Sequence, residues 1–344
     1  MNLATAPTDG GVYVPLMIAT FALHLLLIGF VVGGTAYLVG RTLRGGDDEL
    51  ARRSRDWLPF ALGAAITAGV APLLFVQVLY QPRFYTSNLL LFHRWMALVP
   101  VLIVGFYLLY LAKSDRARRW RRGAQLAVIA IALLCFVFVA WTWVENHALA
   151  NADDAPTVWV EHYRAGRFFH RSPMVAPRLI MWLALCVPLW AAPAGLLARH
   201  EQPSLSLRPL AALALAGLVV AVIAACFTHA SAPLGLRDGL AASPGWVIAC
   251  AVAAAIVALG WVAVLVGRPL PGLALALAGN ATLAIALAGA REASRAALRT
   301  GPHHPAQGLW LFLVALALAA AAITFCIHLA RRSLAEAPSS PPAP

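Results

Sequence analysis

The stretch VYVPLMIATFALHLLLIGFVVGGTAYLVG, residues 12–40, decides the fold class. It holds no Asp, Glu, Lys or Arg and lies between Asp9 and Arg41. About 20 mostly apolar residues carry a helix across the hydrocarbon layer of a bilayer, and this run is longer than that. It is also too long for the apolar part of a secretory signal. Residues 1–11 lack the Lys or Arg with which such a signal opens. The run is therefore expected to span and to stay.

Further apolar runs follow at residues 57–80, 88–112, 124–144, 179–198, 209–228, 246–267, 270–290 and 307–330. Composition agrees with them. Hydrophobic residues make up 61% of the 344 and charged residues 12%, where soluble domains carry about a quarter charged. The mean hydropathy is +0.78. One globular core of this size cannot hide that much apolar surface, so lipid must cover it. The expected fold is an all-α, polytopic transmembrane bundle of about nine spanning helices.

A formal net charge of +12 could suggest nucleic acid. The distribution excludes that reading, because the basic residues sit in short loops between apolar runs and face lipid headgroups. After the odd-numbered runs come Arg41 to Arg55, Lys113 to Arg122, Arg199 with Arg208, Arg268, and Arg331 with Arg332. Those connections collect sixteen of the 26 basic residues, the other side ten. Arg118-Arg119-Trp120-Arg121-Arg122 is the sharpest signal. The positive-inside rule then predicts an N-out, C-in topology in a bacterial inner membrane.

Three regions are expected. Residues 1–178 are rich in Leu, Phe, Trp and Tyr and carry polar residues inside the apolar runs, so the site is expected there. Residues 179–332 are an Ala-rich scaffold, and residues 333–344 a Pro/Ser-rich tail. Residues 145–178, the longest connection, should lie outside. Within it, residues 156–170 read as a surface helix with Trp159, His162 and Tyr163 on one face. The five cysteines lie singly in apolar runs, with no C-x-x-C and no C-x-x-C-H, so they read as small buried side chains.

No P-loop, H-E-x-x-H or G-x-S-x-G occurs. What remains are polar groups where lipid makes polarity costly. His24 sits deepest, ahead of Gly29 and Gly33. A neutral imidazole there can ligate haem iron, meet a quinone or bond within the bundle. Gln77, Tyr80 and Gln81 share one face of the second run just before Pro82, and suit a quinone headgroup, whose two carbonyls want donors. Pro72 should kink that run and Ser87 or Asn88 should cap the next. His93 is a second candidate ligand for haem iron, and Arg94 could neutralise a propionate or quinone anion. Glu145 and His147 could pass protons to the outer phase. His229 is a spare ligand, and His303-His304 a weak metal candidate. The residues from Gln77 to Arg94 are expected to pack with His24 around one cavity.

Two segments, Leu23 to Gly34 and Gly69 to Tyr80 with Phe84-Tyr85-Thr86-Ser87, resemble polytopic cytochrome-like, quinol-linked membrane subunits of bacterial respiratory complexes. The resemblance implies quinol-linked electron transfer, haem b and/or quinone as cofactors, and partner subunits such as c-type cytochromes on the outer side. It also implies a histidine after an Arg opening the fifth run. Here Pro177-Arg178-Leu179-Ile180-Met181-Trp182 has none. A cofactor-free structural or assembly subunit and a small-solute transporter are the rival readings. The lack of an internal repeat and of carboxylates in the apolar cores argues against the transporter.

Overall fold

The computed structural model of the chain describes residues 11–46 and 48–300, with Val314 and Ala321 beyond them. The ninth apolar run, the tail and His303-His304 therefore lie outside the described residues. Among the described residues twelve α-helices follow one another: α1 Tyr13–Leu43, α2 Glu49–Leu79, α3 Gln81–Leu90, α4 Phe92–Lys113, α5 Asp115–Arg118, α6 Arg122–Ala150, α7 Ala155–Arg164, α8 Val175–Glu201, α9 Arg208–Ala230, α10 Leu234–Ala241, α11 Pro244–Leu265 and α12 Pro269–Ser294. Eight of them, α1, α2, α4, α6, α8, α9, α11 and α12, are long and apolar enough to cross a membrane. The chain is a polytopic helical bundle, and the first eight apolar runs each fall on one of these helices.

Many large apolar side chains point away from the protein, among them Phe60, Met96, Val99, Tyr107, Phe227 and Ile248. In water such a surface would drive aggregation, whereas lipid solvates it. Polar backbone is satisfied inside each helix, which is the condition for crossing hydrocarbon.

Helix α1 is the hub, packing against α2, α6, α8 and α12. Its glycines let α8 come close. A Cβ at Gly33 would lie 2.2 Å from the Cys186 carbonyl oxygen, and one at Gly29 would lie 2.5 Å from Leu189 Cδ1. The Gly29-x-x-x-Gly33 spacing thus serves a helix–helix contact. The Ala-rich half uses the same device. A Cβ at Gly260 would lie 2.6 Å from the Ala276 nitrogen, and one at Gly272 2.6 Å from the Gly260 oxygen, so α11 and α12 meet backbone to backbone.

The bundle has two chemically different ends. At one, Arg122 donates to the carbonyls of Thr42 (2.5 Å) and Leu43. There Lys113 Nζ donates to the Asp56 carbonyl and Arg118 Nη2 to Asp56 Oδ1, each at 3.0 Å. The basic connections after α1 and α4 therefore meet. At the other end α1 begins and α2, α6 and α12 finish.

Local structure departs from the sequence reading in two places. Pro82 does not merely close a helix. It occupies the first turn of α3, where its missing N–H costs nothing. Ser87 and Asn88 are interior to α3 rather than caps, and Ser87 Oγ donates back to the Arg83 carbonyl at 2.7 Å. The surface helix is also shorter than expected. α7 stops at Arg164, where Ala165 and the positive-φ Gly166 end the turn. Asp154 caps it, accepting from the Thr157 N–H at 3.4 Å.

Candidate functional site: a polar cluster at the amino-terminal end of the bundle

The candidate residues fall into three groups. The first is centred on Arg94 of α4 and Glu145 of α6, an ion pair with both side chains almost wholly buried. Glu145 also accepts from Trp141 Nε1 at 2.5 Å and from the His170 backbone N–H at 3.1 Å. The Arg94 guanidinium lies 5.2 Å and 5.1 Å from the ring centres of Phe168 and Phe169. Trp141 stacks on Phe169 at 5.0 Å. One turn of α6 and the loop after α7 thus wrap Arg94 in a carboxylate and an aromatic wall. Asn146 donates to Asn88 Oδ1 at 2.7 Å, tying α6 to α3. His162 is buried, with its ring centre 5.6 Å from that of His170. Burial pushes the His170 imidazole down to about 4, with His162 beside it adding to the shift. Burial likewise lowers His162, partly opposed by Glu145. Trp159 donates to the Leu149 carbonyl at 3.0 Å, while Tyr163 is exposed. Of the predicted face, Trp159 and His162 turn inward.

The second group surrounds Tyr80, which is fully buried. Its hydroxyl donates to Glu292 Oε2 at 2.7 Å, and the Arg295 guanidinium sits 3.7 Å from its ring centre. Glu292 Oε1 accepts from Arg291 Nη1 at 2.9 Å and lies 3.8 Å from Arg295 Nη1. Arg295 Nε donates to Asn151 Oδ1 at 2.9 Å. His147 is buried on the side of α6 that faces Arg178, Arg291 and Arg295. Glu145 and His147 therefore have different neighbours despite being two residues apart.

The third group is His24 alone. Its Nδ1 lies 2.9 Å from the Ala65 carbonyl of α2, and its ring stacks on Phe21 at 6.5 Å. Gly69 makes room for it, since a Cβ there would come within 2.9 Å of the ring. A carbonyl can only accept, so the hydrogen bond puts the proton on Nδ1 and the lone pair on Nε2.

Gln77 is half-buried, Gln81 and His93 are exposed, and His93 meets the Phe92 ring. Among the described residues no hydrogen bond or ring contact joins His24 to Gln77, Tyr80, Gln81, His93 or Arg94. Two depressions, of about 620 Å³ beside Ile180 and Phe227 and about 260 Å³ beside Arg55 and Trp120, are lined by none of the candidate residues. His229 is exposed. No group of three or more His, Cys, Asp or Glu among the described residues is placed to hold a metal ion.

Sequence reasoning missed Arg291, Glu292 and Arg295, because they belong to the stretch read as scaffold, and it gave Arg178 no role of its own. One signal was available. Glu292 closes a helix, where the dipole disfavours an anion, so it needs cations nearby.

No protein-family model matches the chain, and no curated protein matches it. Among solved structures, the chain is similar to a chain from the bd oxidase of Geobacillus thermodenitrificans. The TM-score is 0.63 at 14% identity, over 95% of this chain and 100% of that one. The likeness is one of fold, and it runs from end to end.

Proposed function

We propose that the chain is an integral membrane subunit of a respiratory electron-transfer complex in a bacterial cytoplasmic membrane, with a site for a quinone and/or b-type haem at the end of the bundle where α1 begins. The end-to-end likeness of fold to a bd oxidase chain carries this reading. The chemistry of His24 supports it. A histidine that ligates a metal ordinarily gives its other ring N–H to a carbonyl or carboxylate, and the bond to Ala65 leaves Nε2 free to bind iron. His24 would hold the haem iron, and a bound haem would supply a one-electron acceptor there. His93, exposed on α4, would be a second ligand only from the helix surface. Gln77, Tyr80 and Gln81 would serve a quinone headgroup. Tyr80 already donates to Glu292, so its hydroxyl would reach a headgroup only as an acceptor. Glu145 and His147 are the residues assigned to proton exchange with the adjacent aqueous phase. Partner subunits, such as c-type cytochromes, would dock at that end.

A second reading, a cofactor-free structural or assembly subunit, is favoured by the pairing of Arg94 with Glu145 and of His24 with Ala65. Each polar group is then already satisfied. The reduced-minus-oxidised visible spectrum of the chain purified from native membranes decides between them. A b-type band that is lost in His24→Ala, or extractable quinone at stoichiometric amount, upholds the first. A blank spectrum with no quinone leaves the second.

A further inference from the structure

Among the described residues, the positive charge gathered at this end exceeds the negative charge. Arg94 had been expected to balance an anion, but Glu145 already neutralises it. The imbalance lies in the second group. Arg178 lies in the first turn of α8 and Arg291 and Arg295 at the end of α12, two helices that pack together. Glu292 is the one carboxylate among them, bonded to Arg291 and 3.8 Å from Arg295. Among the described residues, Arg178 reaches only the Met174 thioether, at 3.9 Å. Arg295 is 2% exposed, and its Nη1 is buried with no hydrogen-bond partner. Neighbouring rings do not resolve the excess. Phe21 under Arg291, at 4.7 Å, and Tyr80 under Arg295 offer only a quadrupole to each cation. A guanidinium withdrawn from water without an anion is strongly unfavourable, and here Arg291 and Arg295 share the single Glu292 carboxylate.

We propose that Arg178, Arg291 and Arg295 form a binding site for an oxyanion group, a carboxylate or a phosphate. Guanidinium forks match such groups two N–H donors at a time, and Arg295 Nη1 is a donor already free of partners. Two helices supply the rim: α8 gives Arg178, α12 gives Arg291, and Arg295 follows α12 directly. The anion therefore also ties the start of α8 to the end of α12. The site stands whether or not the chain carries electrons, since its ligand is defined by charge and shape alone. Three sources present this chemistry in a membrane: the phosphate of an anionic lipid, the carboxylates of a haem, and free inorganic phosphate.

The test uses the full chain purified from native membranes in mild detergent. Bound lipid phosphate is measured after extraction and haem by its pyridine complex. The response to inorganic phosphate is read as a shift in melting temperature. At least one of these should be positive for the wild type. Arg178→Gln and Arg295→Gln should each reduce that signal roughly tenfold or more, as loss of a charge-assisted bond implies, and Arg178→Lys should retain most of it. Exposed Arg171→Gln should change nothing. Lipid lost with the arginines identifies a headgroup, haem lost identifies propionates, and a phosphate-dependent melting shift identifies the free ion. A wild type negative in all three assays overturns the proposal, as does full retention in both Gln variants at wild-type abundance. A haem-free protein that holds lipid through Arg178 upholds the oxyanion site while removing the haem reading, so the two fail separately.

Discussion

At the scale of single residues, the Arg94–Glu145 pair carries the largest expected penalty. Glu145→Gln keeps the shape of the side chain but leaves Arg94 buried without its anion, which should cost about 3–5 kcal/mol. The check is thermal melting of the solubilised protein together with its abundance in the membrane. Replacing both partners by apolar residues of similar size should recover much of the loss, because no stranded charge then remains. His24→Ala separates two roles. If the ring ligates iron, haem absorbance falls in proportion. If its only task is the bond to Ala65, one polar group is stranded at about 1–3 kcal/mol, and the spectrum is unchanged. Normal quinol-linked electron transfer with His24→Ala at wild-type abundance would remove His24 from the site. Polar residues inside apolar runs were legible in the sequence because lipid makes them expensive, and this picked out His24 and Arg94, while Glu145 stood out as the charge that directly follows the fourth run. Which of them pair was not legible. Arg94 and Glu145 are 51 positions apart, and only the packing of α4 against α6 joins them. Tyr80 and Glu292, 212 positions apart, were beyond any local pattern.

At the scale of elements, long apolar periods announced the eight described spans, since nothing else needs so many uncharged residues in a row. The short helices were harder to read. Pro82 follows the second run, but proline both ends one helix and starts the next, and only the turn at Tyr80 decides between these roles. The contact between α1 and α8 yields a test of packing. Gly33→Ala would drive a methyl toward the Cys186 carbonyl, backbone that cannot swing aside, so the helices must separate. Overpacking of this kind costs about 1–3 kcal/mol, whereas Gly40→Ala, with nothing within 4 Å, should be silent. The loop after α7 yields a test of pH. His162 and His170 face each other, Glu145, Arg94 and Arg167. Both titrate below the ordinary histidine range when folded, so the unfolded chain binds more protons between about pH 6.5 and 4. Stability should therefore fall as pH drops through that window and be flat above it. His170→Asn should flatten the melting temperature between pH 7.5 and 5, and an unchanged pH slope would show that the loop does not hold these rings in their buried places.

At the scale of the whole molecule, the charge pattern and the packing of the helices speak to different halves of one question. Packing sorts the connections into two ends, because Arg122 bonds to Thr42 and Leu43 and Arg118 to Asp56. The segments around residues 42–56 and 113–122 must share one end, and Tyr80, Asn151 and Glu292 share the other. That agrees with the parity deduced from the alternation of basic loops. Packing alone cannot say which end faces the cytoplasm, since a helical bundle is equally well folded either way up. Charge decides it. Sixteen of 26 basic residues lie on the side of the Arg118 to Arg122 cluster, and short loops rich in Lys and Arg are retained in the cytoplasm. The second end also carries buried arginines, but Arg94 and Arg295 are enclosed by protein and the Arg291 side chain is only 11% exposed. They enter folded structure rather than the headgroup layer, and should count for little in orientation. The prediction is that a reporter active only outside the cytoplasm stays silent when fused after Arg122 and is active when fused after Asn151. Activity after Arg122 would invert the molecule. It would also put Glu145, His147 and the arginine cluster on the cytoplasmic side, where any exchange of protons or electrons would face the opposite compartment.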